Sequence, residues 1–132
     1  MISSFASLVS VFIFSFKRFI FSANTGCYVD SVIVDGSLVD SLVGYTFYNV
    51  TANHTIRAVF ARNTYTITVT QGTNGTITPV TSVVDYGTDK QFTFTANAGY
   101  HLDSVIVDDV KVDSTTSYTF YNITSAHSIA AY

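Results

Sequence analysis

The chain of 132 residues has room for one medium-sized domain or two small ones. Hydrophobic residues make up 48% of it and charged residues only 11%, which excludes an intrinsically disordered chain, because such chains combine low hydrophobicity with high charge. The net charge of −3 and the lack of a basic cluster in the sequence exclude a protein that binds nucleic acid through a positively charged surface. Every acidic residue is Asp, and Thr, Val, Ile, Tyr and Phe are abundant, so we expect an all-β chain with very little helix.

The first segment, residues 1–16, stands apart from the rest. Its apolar run ends at Lys17-Arg18, whereas a secretory signal carries its positive charge before the run. The run is also shorter than the about 20 residues of a transmembrane helix. We interpret the segment as a non-native start, such as an internal Met or a shifted reading frame. A degenerate signal or anchor and a genuine replacement strand are the alternatives, and membrane contact is expected only for an anchor.

The remaining sequence is an internal duplication with an offset of roughly 73 residues. Between residues 17–59 and 90–132, roughly 24 of about 43 ungapped pairs are identical. Asp-Ser-Val-Ile-Val-Asp occurs at 30–35 and again at 103–108. We call residues 17–62 repeat 1, a partial copy, and residues 63–132 repeat 2, a nearly complete one. The duplication predicts tandem small antiparallel β modules, in which the neighbouring repeat is a partner.

Alternation of apolar and polar residues predicts the strands of both repeats. In repeat 1 they are expected at 19–22, 27–34, 38–39, 45–48 and 55–60, with a type I′ hairpin turn at Asp35-Gly36. In repeat 2 they are expected at 65–70, 76–79, 92–95, 100–107, 111–112, 118–121 and 128–132. Asp108-Asp109 is a weaker turn signal, and residues 122–127 are expected to form a turn or a single helical turn. The predicted core of repeat 2 is Ile67, Val69, Ile77, Phe92, Phe94, Val105, Val107, Phe120, Ile123 and Ile129.

The histidines do not form a recognisable site in the sequence. His54 and His127 recur at equivalent positions, but a metal site needs three or four converging donors. No cysteine or carboxylate accompanies either of them at a suitable spacing, so we expect turn residues that bind backbone groups. His101 aligns with Tyr28 and is not a repeated feature, and the single Cys27 excludes an internal disulfide.

Four aspartates crowd the hairpin of repeat 2, at Asp103, Asp108, Asp109 and Asp113. Their spacing matches no EF-hand loop, so we expect solvated turn residues, with a Ca²⁺ site as the alternative. No Ser lies in a Gly-x-Ser-x-Gly context, and no base is paired with a nucleophile. The sequence therefore predicts no enzyme, with no catalytic, cofactor or metal residues.

Taken as a set, the motifs of repeat 2 resemble the divergent internalin B-repeat, also called the Listeria–Bacteroides type bacterial repeat. The resemblance covers residues 63–132 fully and 17–62 for the later strands, and residues 1–16 depart from it. The motifs that carry it are Tyr65-Thr-Ile-Thr-Val69, Gly75-Thr-Ile-Thr-Pro79, Asp85-Tyr-Gly87, Phe92-Thr-Phe94, Asn97-Ala-Gly-Tyr-His101, Val105-Ile-Val-Asp108, Tyr118-Thr-Phe-Tyr-Asn-Ile-Thr124 and His127-Ser-Ile129.

The resemblance implies a small β fold that is β-grasp-like in relatives. It also implies a non-catalytic tandem module of a secreted or cell-surface bacterial protein, acting as a stalk, spacer or adhesion segment. The partners it implies are neighbouring repeats and host or cell-envelope surface molecules, with no ligand-binding residues assigned. The alternative function is a β module that binds a glycan or a protein ligand through the recurring tyrosines, because exposed aromatic rings can stack on sugars: Tyr45, Tyr48, Tyr118 and Tyr121.

Overall fold

A computed structural model describes residues 2–8, 16–113 and 115–132, and of residues 2–8 only the backbone. Met1, residues 9–15 and Ser114 lie outside this part, and with them half of the predicted segment 1–16. All regular elements of the described residues are strands, which confirms the all-β fold class. These residues include no helix long and apolar enough to cross a membrane. The chain divides into two compact units, residues 1–62 and 63–132.

The described residues of the first unit form two sheets. A four-stranded antiparallel sheet has the order β1-β6-β3-β4, and a two-stranded antiparallel sheet pairs β2 with β5. One core cluster joins their buried side chains Val32, Val34, Phe47, Ile56 and Ala58 with Val50 of the loop after β5. The strands are β1 Ile2–Leu8, β2 Phe16–Ile20, β3 Cys27–Val34, β4 Ser37–Val39, β5 Gly44–Tyr48 and β6 His54–Arg62.

The second unit is repeat 2, whose described residues also form two sheets. A five-stranded mixed sheet has the order β12-β11-β14-β7-β9, in which β14 and β7 are parallel, and a three-stranded antiparallel sheet has the order β13-β10-β8. The strands are β7 Thr64–Gln71, β8 Gly75–Thr78, β9 Ser82–Asp85, β10 Lys90–Ala96, β11 Val105–Val107, β12 Val110–Val112, β13 Ser117–Phe120 and β14 His127–Ala131.

The core of repeat 2 confirms the predicted residues with one exception. All of them are buried except Val69, which is half-buried and packs against the cluster. Successive side chains of a strand point to opposite faces of the sheet, which explains which residues are buried. Phe92 and Phe94 of β10 face inward, while Thr93 between them is exposed. Val84 is buried as well, on strand β9, a short strand that the sequence did not reveal.

Two predicted elements of repeat 2 differ from the structure. The strand expected at 100–107 begins only at Val105. Of residues 122–127, expected to form a turn or a single helical turn, 122–126 form an irregular loop and His127 belongs to β14. In repeat 1 the equivalent strand begins at Cys27, because residues 27–29 pair with residues 60–62 of β6. In repeat 2 the backbone before Val105 is bonded differently: the N–H groups of Asp103 and Ser104 donate to the Tyr132 carbonyl oxygen at 2.7 and 3.2 Å, and the Tyr100 N–H donates to the Asn97 carbonyl oxygen at 3.0 Å.

We call the last strand of each unit, β6 or β14, its closing strand. One neighbour of the closing strand is β3 or β11, and the two units differ in the other neighbour. In repeat 2 this neighbour is β7, which runs parallel to β14, with His127 opposite Ile67. In the first unit it is β1, which runs antiparallel to β6, with Ile2 opposite Phe60. Residues 2–8 therefore occupy the position that β7 has in repeat 2. The origin of segment 1–16 and its boundary with repeat 1 stay predictions.

The hairpin turns of the two repeats have the same backbone conformation. Asp35 and Gly36 have φ values of 48° and 82°, and Asp108 and Asp109 have 47° and 65°. Positive φ at both central residues is the signature of a type I′ turn, as predicted for Asp35-Gly36. Repeat 2 thus forms the same turn with Asp109 at its second position, where aspartate tolerates the left-handed region better than most side chains but less well than glycine.

We expect Phe120→Ala to lower the free energy of unfolding of repeat 2 by about 3–5 kcal/mol, because it opens a cavity in the core. Denaturant titration measures this loss, and amide hydrogen exchange locates it. Phe47→Ala, at the equivalent position of repeat 1, is the matched variant and should act on the first unit. An unchanged unfolding midpoint for Phe120→Ala would show the core assignment to be wrong.

We expect Asp109→Gly to stabilise repeat 2 by about 0.5–1 kcal/mol, because glycine adopts a positive φ without a steric cost. The matched variant is Gly36→Asp, where nothing lies within 4 Å of an added Cβ, so its loss of stability would be purely conformational. Denaturant midpoints measure both changes. Equal midpoints for Asp109→Gly and the parent would mean that the turn carries no strain.

Candidate functional site

One polar cluster occurs in both repeats, at the hairpin turn that follows β3 or β11. In repeat 1, Asp35 follows β3 and His54 begins β6, and the pairing of these strands brings the two side chains together. His54 Nδ1 lies 2.7 Å from Asp35 Oδ2. The backbone N–H of Thr55 donates to Asp35 Oδ1 at 2.8 Å, so both carboxylate oxygens of Asp35 have a partner.

Repeat 2 reproduces this arrangement. His127 Nδ1 lies 2.6 Å from Asp108 Oδ2, and the Ser128 N–H donates to Asp108 Oδ1 at 2.8 Å. The backbone N–H of Asp108 in turn donates to the Ser128 carbonyl oxygen at 3.1 Å, as the Asp35 N–H does to the Thr55 carbonyl oxygen at 3.0 Å. The aspartate therefore ties the hairpin turn to the closing strand through both its backbone and its side chain.

Each histidine also lies against the core. The rings of His54 and Phe47 are 4.7 Å apart at an interplanar angle of 28°, and those of His127 and Phe120 are 4.7 Å apart at 32°. Both phenylalanines are buried. We call each such set of Asp, His and Phe an Asp–His–Phe cluster. It connects an exposed turn, through a half-buried imidazole, to the centre of the module.

The contacts of the two aspartates lower the pKa of their carboxyl groups. For Asp35 the main cause is the hydrogen bond from the Thr55 N–H, followed by the contact with His54, and its pKa lies below 3.8. For Asp108, partial burial acts in the opposite direction and raises the pKa. The Ser128 N–H and His127 outweigh it, so that the pKa of Asp108 also lies below 3.8. Both carboxylates are stabilised in their charged form.

The placement of these clusters fits a structural role better than catalysis. The His127 and Asp108 side chains are 24% and 45% exposed, at a surface turn. A groove of about 280 Å³ in repeat 2 is lined by Gln71, Phe94, Tyr100, His101 and Tyr132 among others, but by neither His127 nor Asp108. Since both oxygens of each carboxylate and one face of each imidazole are occupied by contacts within the module, the cluster acts as a clasp.

The other residues considered for metal binding are dispersed. Asp109 and Asp113 are exposed, and Asp103 lies near the chain end, where its N–H donates to the Tyr132 carbonyl oxygen at 2.7 Å. Within the part of the chain that the structure describes, no three His, Cys, Asp or Glu residues lie together as a metal site requires. Cys27 is a free, half-buried thiol. The Ca²⁺ alternative gains no support from this geometry.

The recurring tyrosines divide into two kinds. Tyr45 and Tyr118 are half-buried and pack edge-on against Phe47 and Phe120, with ring centroids 4.9 and 5.0 Å apart. Tyr48 and Tyr121 are 77% and 74% exposed. Each repeat therefore presents only one ring of its recurring pair to solvent, and the groove of repeat 2 includes neither Tyr118 nor Tyr121. The pairs do not form the extended platform that the glycan-binding alternative requires.

The aspartate and histidine of each cluster are far apart in sequence, which is why local spacing did not reveal them. They are separated by 19 residues in both repeats. A carboxylate and an imidazole that recur at the same separation in two copies are the signal that could have predicted the pair. The expectation that these histidines bind only backbone groups is thus corrected, because strand pairing supplies a carboxylate.

The chain therefore consists of two successive small β units, each with its own core and clasp. The family model described as the divergent InlB B-repeat domain matches residues 65–132, more than half of the chain. The chain belongs to this family, which confirms the resemblance seen in its motifs. Members are in general non-catalytic repeats, and B-repeat domains occur in bacterial surface proteins. A search of curated proteins found no match, and no solved structure matched either.

The lowered pKa of Asp108 predicts a pH dependence of stability. Because the folded pKa lies below the unfolded value of 3.8, the contribution of Asp108 is fully present above pH 3.8 and is lost as the pH falls through the folded pKa. We expect Asp108→Asn to reduce this acid-induced loss in repeat 2, since asparagine tolerates a positive φ and keeps an acceptor oxygen. Unfolding free energies measured from neutral to acidic pH test this.

The matched control for that experiment is Asp109→Asn, which removes a neighbouring exposed carboxylate from the same turn. It should leave the acid dependence close to that of the parent. Equal acid dependence for the parent and for Asp108→Asn would show that the carboxylate does not stabilise the fold through its charge.

Proposed function

We propose that the chain is a segment of a repeat-built stalk in a secreted or cell-surface bacterial protein, and that it acts as a structural spacer. The observation that carries this proposal is the immediate succession of two modules. β6 of the first ends at Arg62, β7 of the second begins at Thr64, and Asn63 alone lies between them. A connection of one residue is not a flexible tether.

Each module has its own stabilising interactions, as a repeat that occurs several times in series requires. The first unit and repeat 2 have separate core clusters, and each has its own Asp–His–Phe cluster. In repeat proteins, stability is a sum of the contributions of the repeats and of their interfaces with direct neighbours. Under this proposal the main partners are neighbouring repeats of the same chain, with no nucleic acid, and the parent protein is extracellular.

A role in adhesion is the second candidate, and the exposed recurring tyrosines favour it. Tyr48 and Tyr121 have equivalent positions, and each is more than two-thirds exposed. Aromatic side chains with a polar hydroxyl are common in contact surfaces. A ring repeated once per module would offer host or cell-envelope molecules, either glycan or protein, a series of weak contacts along a stalk.

Small-angle scattering of chains with increasing numbers of copies of residues 63–132 tests the spacer proposal. A spacer requires the maximum particle dimension to grow by a constant increment with each copy. The matched control replaces each junction by a Gly/Ser linker, which should give a broader distribution of dimensions, as for a random coil. A maximum dimension that levels off as copies are added would contradict the proposal, because the repeats would be forming a compact particle.

A further inference from the structure

The first and last strands of repeat 2 are parallel neighbours. β7 and β14 pair over five positions, from His127 opposite Ile67 to Ala131 opposite Gln71. Since the strands are parallel, the start of β7 and the end of β14 lie at opposite ends of this ladder. A force that pulls the two ends of the repeat apart therefore slides one strand along the other.

We propose that the β7–β14 pair is a force-bearing clamp that allows repeat 2 to resist tension along the chain. When two strands are pulled in this direction, all the hydrogen bonds between them are loaded together. When two strands are pulled apart from one end, the bonds are loaded and broken one after another. The rate of forced unfolding is set by the barrier to unfolding, and a barrier that requires several bonds to break together is the higher one.

The surroundings of the pair support this role. It lies in the interior of the five-stranded sheet, with β11 on the far side of β14 and β9 on the far side of β7. Ile67 and Ile129 are buried at 0% and 1% exposure, so one face of the ladder is shielded from water that would compete for its hydrogen bonds.

The pairing also extends beyond the end of β7. The N–H of Gly72 donates to the Ala131 carbonyl oxygen at 3.2 Å. A Cβ at Gly72 would lie 2.8 Å from the same oxygen, so this close approach requires glycine. The Tyr132 N–H donates to the Ser104 carbonyl oxygen at 3.0 Å, which attaches the last residue to the other neighbour.

The corresponding strand pair of the first unit has the opposite polarity. Its strand beside the closing strand, β1, is antiparallel, with Ile2 opposite Phe60 and Leu8 opposite His54. The start of β1 and the end of β6 therefore lie at the same end of their ladder, and tension applied to them separates the strands bond by bond. One chain thus contains two related modules that differ in the loading direction of their terminal strands.

That the chain bears tension in its natural setting rests on the proposed stalk function. The resistance of repeat 2 to forced unfolding is a property of the repeat and can be measured independently of that function. Single-molecule pulling of the full chain by its two ends measures this resistance. We expect two unfolding events, each lengthening the chain by about 200 Å, with the stronger one belonging to repeat 2. Phe47→Ala identifies the other event, because it should weaken or remove the event of the first unit and leave the stronger one in place.

A change of pulling direction provides the decisive control. The double variant Cys27→Ser, Thr73→Cys has its single cysteine at an exposed position just after β7, where a pulling handle can be attached. Pulling between residue 73 and the C-terminus separates β7 and β14 from one end. We expect repeat 2 to unfold at a clearly lower force than when the same variant is pulled by its two ends. Equal forces in the two directions would overturn the clamp and would leave the spacer proposal to be decided by scattering.

Discussion

The hydrogen-bonded pairing of the closing strand with its neighbours is the constraint on which the rest of each module depends. β6 and β14 lie inside their sheets and provide the buried residues Ile56 and Ile129. Their pairing with β3 and β11 also brings the histidine that begins the closing strand to the aspartate of the hairpin turn. Core and clasp therefore form together, and a closing strand in another register would lose both.

The aspartate of each cluster satisfies two demands that would otherwise conflict. The first position of a type I′ turn requires a positive φ, which most side chains avoid and which Asn and Asp tolerate best. The end of the adjoining strand presents a backbone N–H and an imidazole, which require an anionic acceptor. Asp35 and Asp108 meet both demands, with φ values of 48° and 47° and a carboxylate bound on both oxygens. The second turn position carries no such contacts, and the repeats differ there, with Gly36 and Asp109.

The sequence predicted those features that depend on local pattern and on duplication. Alternation located Phe92, Phe94 and Ile67 in the core, and the duplication located equivalent hairpin turns at Asp35-Gly36 and Asp108-Asp109. Features that depend on pairing between distant segments were not predictable in this way. Strand β11 begins only at Val105, and the backbone before it bonds to Asn97 and Tyr132 instead of extending the strand. The apolar residues of this segment do not encode those partners. The pairing of Asp108 with His127 was hidden for the same reason, because neither residue is local to the other.

Strand direction shows this limit most clearly. A period of two decides which residues of a strand face the core, but the pattern reads the same in both directions, so it does not distinguish a parallel neighbour from an antiparallel one. The position beside the closing strand can therefore be filled by Thr64–Gln71 in one module and by Ile2–Leu8 in the other, with opposite polarity. Both pairings continue the sheet and complete its hydrogen bonds. Burial at equilibrium depends little on that polarity, whereas the response to a directed force depends on it strongly, so the two modules can share a fold and still differ under load.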